Sequence, residues 1–157
     1  MAENKKILAE VGVGEVFQAA GFEFIKFYDE NGNTVAVAKD ILFNSVFGDN
    51  NNFAKSDVLK KLKKDVLAKI EKEVGKDNVV KHEVDLLSLD GSEKWGKMKT
   101  KISLPTFDFY RKHVKIFDKH KVNGWWWLAT ADTTTDHYDY DYWVSCVSPR
   151  GDLVLQL

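Results

Sequence analysis

The residues best suited to chemistry lie in a short acidic and aromatic segment near the C-terminus. Aspartates alternate there with tyrosines, and no Lys or Arg occurs between Lys121 and Arg150. Clustered carboxylates create a negative field, and Tyr side chains offer rigid contact area at low entropic cost. This pattern predicts a partner-binding surface, with a solvated loop that binds nothing as the alternative. Its candidate residues are Asp136, His137, Tyr138, Asp139, Tyr140, Asp141 and Tyr142, together with Trp125.

The same segment is a weaker match to a metal site. Asp139 and Asp141, with Asp136 and His137, resemble an oxygen-rich Ca²⁺ site. The glycine and closing glutamate of an EF-hand loop are absent, however, and a zinc site needs several His or Cys ligands at registered spacing. We therefore expect no metal ion and no cofactor, while a lectin-like domain that binds carbohydrate or Ca²⁺ is the alternative function.

Sequence signals for catalysis are missing. Cys146 is the only cysteine and lies in an apolar stretch without a neighbouring base, which predicts a buried, inert thiol. No nucleophile elbow, phosphate-binding loop or dinucleotide-binding motif occurs. A chain that forms no internal disulfide is typical of a reducing compartment, so we expect a cytoplasmic protein. Because these catalytic signals are missing, we also expect that the protein is not an enzyme.

Hydrophobic periodicity and turn signals predict one α+β domain over residues 1–157. Asn31-Gly32 predicts a tight hairpin turn, Ser56 and Thr106 are natural helix N-caps, and Gly75 supplies a helix stop. The predicted units are an N-terminal β-meander over 15–47, helices over 57–74 and 107–117, and Trp-rich strands with the acidic segment over 125–157.

Charge and aromatic residues add two further expectations. The first helix carries Lys60, Lys61 and Lys64 on its polar side, which form either a second binding face or a solvated one. With 23 basic and 24 acidic residues the chain lacks the positive excess of a general nucleic-acid binder, and no apolar run is long enough to span a membrane. In a strand, Trp125 and Trp127 would face one way and Trp126 the other.

Several segments together resemble a known family. The main match is Trp125-Trp126-Trp127-Leu128-Ala129-Thr130, followed by Trp143-Val144 and by Ser148-Pro149-Arg150-Gly151. Upstream matches are the stretch from Val35 to Phe43, Ser56-Asp57, Leu87-Ser88-Leu89-Asp90-Gly91, and Ser103-Leu104-Pro105-Thr106. These segments are distributed over most of the chain. They are similar to small domains of unknown function that are common in Firmicutes and their phages and prophages.

This resemblance implies a C-type-lectin-like fold, related to that of formylglycine-generating enzymes, with a twisted antiparallel sheet and two flanking helices. Such a fold hosts sugar binding, protein binding and catalysis alike, so it does not fix the function. A phage or mobile-element origin implies an accessory module that binds a host protein. One example is a stoichiometric, anti-CRISPR-like inhibitor whose acidic loop occupies the basic channel of a defence nuclease.

The resemblance also bears on the C-terminus. Family members continue past the Gly-containing turn with a further segment, whereas this sequence stops at Leu157. Residues 153–157 are then expected at an unprotected sheet edge, where pairing with a second copy would give a homodimer.

Overall fold

A computed structural model describes residues 8–134, 143–151 and 153–156. The protein combines a few helices with small antiparallel sheets, so the predicted α+β class is confirmed. Among the described residues the strands form three sheets, whereas the family resemblance implies one twisted sheet. Within the described ranges, each helix is too short or too polar to span a bilayer.

The first sheet is an antiparallel meander of β1 (Val16–Ala19), β2 (Phe22–Glu30) and β3 (Asn33–Ala38). The predicted Asn31-Gly32 turn is confirmed, because both residues adopt the positive φ angles, 52° and 78°, that a tight hairpin turn requires. The meander ends at Ala38 and not at 47, since residues 39–52 contain neither helix nor strand.

An irregularity in β2 buries a lysine. The register between β2 and β3 shifts between Lys26 and Tyr28, which interrupts the simple alternation of faces. Lys26 is only 2 % exposed, and its ammonium donates to the Leu8 carbonyl at 2.9 Å and pairs with Asp29 at 2.7 Å. The hydrogen bond from Lys26 lowers the pKa of Asp29. The buried charge is thus compensated, and it ties the N-terminal 3₁₀ turn (Leu8–Glu10) to the sheet.

The predicted helix over 57–74 is present but changes geometry midway. Helix α1 (Asp57–Lys61) continues through a π-helical segment (Leu62–Leu67) into α2 (Ala68–Val74), and Gly75 follows with a φ of 92°. Its apolar side supplies Val58, Leu59, Leu62 and Val66 to the core. A π turn holds more residues than an α turn and rotates the apolar stripe. Val74, the last residue of α2, is 38 % exposed.

A two-stranded sheet follows, made of β4 (His82–Asp85) and β5 (Lys97–Thr100). The predicted units do not include β5. This strand alternates exposed Lys97 and Lys99 with the inward Met98 and Thr100. Lys99 lies opposite Glu83 in the register, so opposite charges support the pairing without an apolar run.

The second predicted helix is split in two. Helices α3 (Phe107–Lys112) and α4 (Val114–Lys119) meet at His113, whose φ of −120° and ψ of 22° are not helical. The predicted N-cap is confirmed, because the Thr106 hydroxyl accepts from the Phe109 N–H at 3.1 Å. At the break, the His113 ring stacks on Tyr28 of β2 with centroids 5.3 Å apart.

The third sheet unites the two hydrophobic clusters of the domain. It consists of β6 (Trp126–Ala131), β7 (Val144–Val147) and β8 (Leu153–Gln156), in that order. Trp127 meets Phe47 in the main core at 5.7 Å between rings, whereas Trp126 packs on Phe117 at 5.5 Å in the second cluster. The prediction that adjacent tryptophans face opposite ways is therefore confirmed for this pair.

Strand β7 lies between β6 and β8, and all four of its residues are buried. The predicted burial of Cys146 is confirmed at 1 % exposure, and burial raises the pKa of its thiol. Strand β8 is the last strand of this sheet and pairs with β7 on one side only, among the residues that the structure describes.

Candidate functional site

The two ends of the acidic segment are held together at a hydrogen-bonded stem. The Asp132 N–H donates to the Trp143 carbonyl at 3.0 Å. Beside this contact lies Asn51, whose exposed fraction is 0 %. Its side-chain amide donates to the Thr133 carbonyl at 2.8 Å and to the Trp143 carbonyl at 3.1 Å. One buried side chain thus fixes the points at which the chain enters and leaves residues 135–142.

Trp95 completes this side of the stem. Its indole N–H donates to the Asn51 side-chain oxygen at 3.0 Å, which orients the amide. Donor and acceptor groups of Asn51 are therefore both used, as burial of a polar side chain requires. The Asn51 loop, the Trp95 loop and the third sheet meet at this amide.

A turn formed by residues 88–92 supports the other side of the stem. The Leu89 N–H donates to the Ala131 carbonyl at 2.9 Å, and the Asp90 N–H donates to the Asp132 carbonyl at 3.2 Å. The Asp90 carboxylate accepts from the hydroxyls of Ser88 and Thr133. The hydroxyl of Thr134, only 2 % exposed, is hydrogen-bonded to that of Ser92.

The stem itself carries negative charge. Burial raises the pKa of Asp90, but hydrogen bonds from Ser88, Thr133 and the Ser92 N–H outweigh it and leave this pKa below its usual range. Burial is the main cause that raises the pKa of Asp132, and repulsion from Asp90 raises it further. Asp90 is therefore ionised at neutral pH, and it adds to the field of the aspartates that follow the stem.

Of the predicted binding residues, seven lie outside the described residues: Asp136, His137, Tyr138, Asp139, Tyr140, Asp141 and Tyr142. The residues that build the stem were not predicted as functional. Asn51 lies in a run of polar residues typical of a loop, and Asp90 lies in a turn. Their partners at the ends of the acidic segment, Thr133 and Trp143, lie 43 to 92 positions away along the chain, so no local pattern could have indicated these contacts.

Trp125, the remaining predicted binding residue, is 50 % exposed and lies just before β6. It differs in this respect from Trp126 and Trp127, which pack into the two clusters. The neighbouring Gly124 approaches Ile41 so closely that a β-carbon there would lie 2.5 Å from the Ile41 Cδ1 atom. Ile41, itself 38 % exposed, therefore lies against the residue that precedes Trp125 in the sequence.

The three predicted basic residues lie at the surface of the helix that begins at Asp57. Lys60 and Lys64 are exposed, and Lys60 pairs with Asp57 at 3.5 Å. Lys61 is half-buried because its ammonium lies 4.8 Å from the Phe43 ring centroid and donates to the Asn44 carbonyl at 3.1 Å. Two of these lysines therefore project into solvent, while the third binds the segment that precedes the helix.

The described residues offer little to a substrate or a metal ion. In residues 8–134, 143–151 and 153–156, no three His, Cys, Asp or Glu side chains converge as metal ligands would. A small cavity of about 20 Å³ lies between Tyr110, Phe117 and Trp126. That volume is room for a single water molecule.

Comparisons with protein-family models, with curated proteins and with solved structures find no match to this chain.

Proposed function

We propose that this chain is a non-enzymatic protein-binding module that presents residues 136–142 to a partner. The observation that carries the proposal is the stem, in which the buried Asn51 amide bonds to the carbonyls of both Thr133 and Trp143. A loop whose ends are fixed loses less conformational entropy on binding than a loop with free ends. The sequence between these ends, with three aspartates and three tyrosines over 136–142, has the composition of a contact surface.

The charge of this surface indicates the class of partner. Residues 136, 139 and 141 are aspartates, and the stem contributes the ionised Asp90. Such a surface is complementary to a basic groove, which is the kind of groove that nucleic-acid-binding proteins use for phosphates. Together with the family resemblance, this supports an accessory protein of phage or mobile-element origin that inhibits a host defence nuclease stoichiometrically, in the manner of an anti-CRISPR protein.

The C-type-lectin-like fold is part of the proposal. It is supported by hydrogen bonds that join two of the segments carrying the resemblance to β6. Ala129 donates its N–H to the Pro105 carbonyl at 2.8 Å, and the Leu89 N–H donates to the Ala131 carbonyl. The Phe107 N–H, just after the second of these segments, donates to the Thr130 hydroxyl at 2.9 Å. Stretches far apart in the sequence thus meet at the Trp-rich strand.

Co-purification from a lysate of a Firmicutes host tests the proposal. We expect the wild-type chain to retain a nucleic-acid-binding protein at about one-to-one stoichiometry, and nucleic acid to compete for it. A variant with Asp136, Asp139 and Asp141→Asn should lose this partner. A matched variant with Asp49, Asp77 and Asp118→Asn, three exposed aspartates outside the loop, should keep it.

Two results would contradict the proposal. One is a partner that both triple variants retain equally, because the loop would then be dispensable. The other is a reaction catalysed by the purified chain, which would replace binding by turnover.

A further inference from the structure

A second candidate surface is the apolar stretch that follows the first sheet. Residues 41–46 have no secondary structure, although Ile41, Leu42, Phe43 and Val46 are apolar. Large apolar side chains are mostly buried in folded proteins, yet Ile41 is 38 % and Val46 is 72 % exposed. Leu42 and Phe43 are partly buried against the main core, which anchors the stretch.

Trp125 extends this surface at one end. It is 50 % exposed and follows Gly124, whose backbone lies against the Ile41 side chain. Trp is among the residue types most enriched at the centres of protein interfaces. A half-exposed Trp and an exposed Ile that contacts the neighbouring Gly124 are suited to anchor an apolar side chain.

The other end of the surface is basic. The Lys61 ammonium contacts the Phe43 ring and the Asn44 carbonyl, so this part of residues 41–46 lies against the helix that begins at Asp57. Residues 57–64 of that helix contain four lysines and one aspartate. Near Ile41 the chain carries Asp40, which is exposed, and Lys39, which pairs with Glu23 at 3.3 Å. The lysines of the helix that begins at Asp57 therefore make the Phe43 end of the surface basic.

The main chain of this stretch is available for pairing. Within the part of the chain that the structure describes, the N–H groups of residues 41–46 donate no hydrogen bond to a protein acceptor. An exposed stretch with unpaired main-chain donors can pair with an extended peptide, whose side chains then enter pockets beside it.

We propose that residues 41–46, Trp125 and the lysines at positions 60, 61 and 64 form a docking surface for an acidic, apolar-anchored peptide segment of a partner protein. An aromatic or aliphatic side chain of the segment packs on Trp125 and Ile41, and its carboxylates lie against Lys60 and Lys64. This surface is basic whereas the stem is acidic, so the two surfaces bind partner segments of opposite charge.

Selection from a phage-displayed library of random 12-residue peptides tests this surface. The immobilised wild-type chain should enrich peptides that contain several Asp or Glu residues and at least one Trp, Phe, Leu or Ile. Fluorescence anisotropy of an enriched, labelled peptide then gives its affinity for variants. We expect Trp125→Ala, and separately Lys60→Glu with Lys64→Glu, each to weaken binding at least about tenfold.

Matched variants show whether the loss of affinity is specific to this surface. Lys112→Glu with Lys115→Glu makes the same charge change at exposed lysines of α3 and α4 and should leave the affinity unchanged. The Asp136, Asp139 and Asp141→Asn variant should also bind the peptide normally, so failure here is distinguishable from failure of the proposed function. Circular dichroism checks that each variant is folded.

Three results would overturn the proposal. The first is a selection that enriches no peptides, or only neutral or basic ones. The second is an affinity that Trp125→Ala leaves unchanged or that both lysine pairs lower equally. The third is self-association in sedimentation that Trp125→Ala abolishes, because a second copy would then cover the surface.

Discussion

At the residue scale, Asn51 has the largest share in shaping the candidate site. Both the donor and the acceptor groups of this buried amide are engaged. Its partners cannot bond to water there, so their hydrogen bonds depend on the amide. Asn51 connects Trp95 to the carbonyls of Thr133 and Trp143, which lie on either side of residues 135–142 in the sequence. The geometry of the stem therefore depends on one side chain that has no role in contacting a partner.

Replacing Asn51 by Ala should destabilise the domain strongly. The change leaves the Trp95 indole N–H and the carbonyls of Thr133 and Trp143 each short of one hydrogen bond, at about 1–3 kcal/mol for an unsatisfied buried group. We expect the free energy of unfolding in urea to fall by about 2–4 kcal/mol. Asn123→Ala, at an exposed asparagine, should change it by less than about 0.5 kcal/mol. Equal effects of the two variants would refute this role of Asn51.

His113 should make stability depend on pH. Burial, assisted by the charge of Lys112, lowers the pKa of His113 below its ordinary value of about 6.5. Because the folded state disfavours the protonated ring, the stability that His113 contributes is present above about pH 6.5 and is lost as the pH falls through its lowered pKa. The free energy of unfolding should therefore fall more steeply between about pH 7 and pH 5 in the wild type than in His113→Phe. If the free energies of unfolding of the wild type and of His113→Phe change in parallel with pH, His113 is not a source of the pH dependence.

At the element scale, the helix over 57–74 shows which signals are local. The helix begins after Ser56 and ends before Gly75, as predicted, because N-cap and C-terminal preferences act within a single turn. The hairpin at Asn31-Gly32 was predictable for the same reason. The π-helical segment and the break at His113 follow from packing against other elements, so the helical periodicity alone did not indicate them.

Signals from distant residues account for the other differences. Strand β5 was missed because its lysines find opposite charges only once β4 lies beside it. Burial of Lys26 depends on the Leu8 carbonyl and on Asp29, which no alternation of apolar residues reveals. The composition of residues 136–142 indicated a contact surface, but the stem that fixes its ends required the fold.

The N-cap of the first helix gives a test at this scale. The Ser56 hydroxyl accepts from the Leu59 N–H at 3.1 Å and donates to the Phe53 carbonyl at 2.7 Å. Ser56→Ala should lower the free energy of unfolding by about 1–2 kcal/mol. Ser45→Ala removes a hydroxyl that bonds to the adjacent Val46 carbonyl and should have a much smaller effect. If denaturation finds Ser56→Ala as stable as the wild type, this cap does not hold the helix start.

At the scale of the whole molecule, charge is segregated although the net charge is only −1. The stem and residues 136–142 are acidic, and the helix that begins at Asp57 is basic at its start. Strand β8 lies at the edge of the third sheet, where the expected pairing with a second copy stays a prediction. The chain thus offers distinct surfaces, each suited to a different kind of contact.

Calcium should have no effect on this protein if the acidic segment binds a protein. A bound ion stabilises only the folded form, by about 2.7 kcal/mol at a hundredfold excess over its dissociation constant. We expect the melting temperature to be the same in EDTA and in millimolar CaCl₂. A rise of several degrees with Ca²⁺, absent with Mg²⁺, would support the lectin-like alternative instead.

The most direct test of the central claim is the affinity of the captured partner for the loop variant. Biolayer interferometry should give at least about tenfold weaker binding for Asp136, Asp139 and Asp141→Asn than for the wild type, and binding that weakens as salt rises, because the contact is electrostatic. The Asp49, Asp77 and Asp118→Asn control should bind as the wild type does. Unchanged, salt-independent affinity of the loop variant would contradict the claim that residues 136–142 form the binding surface.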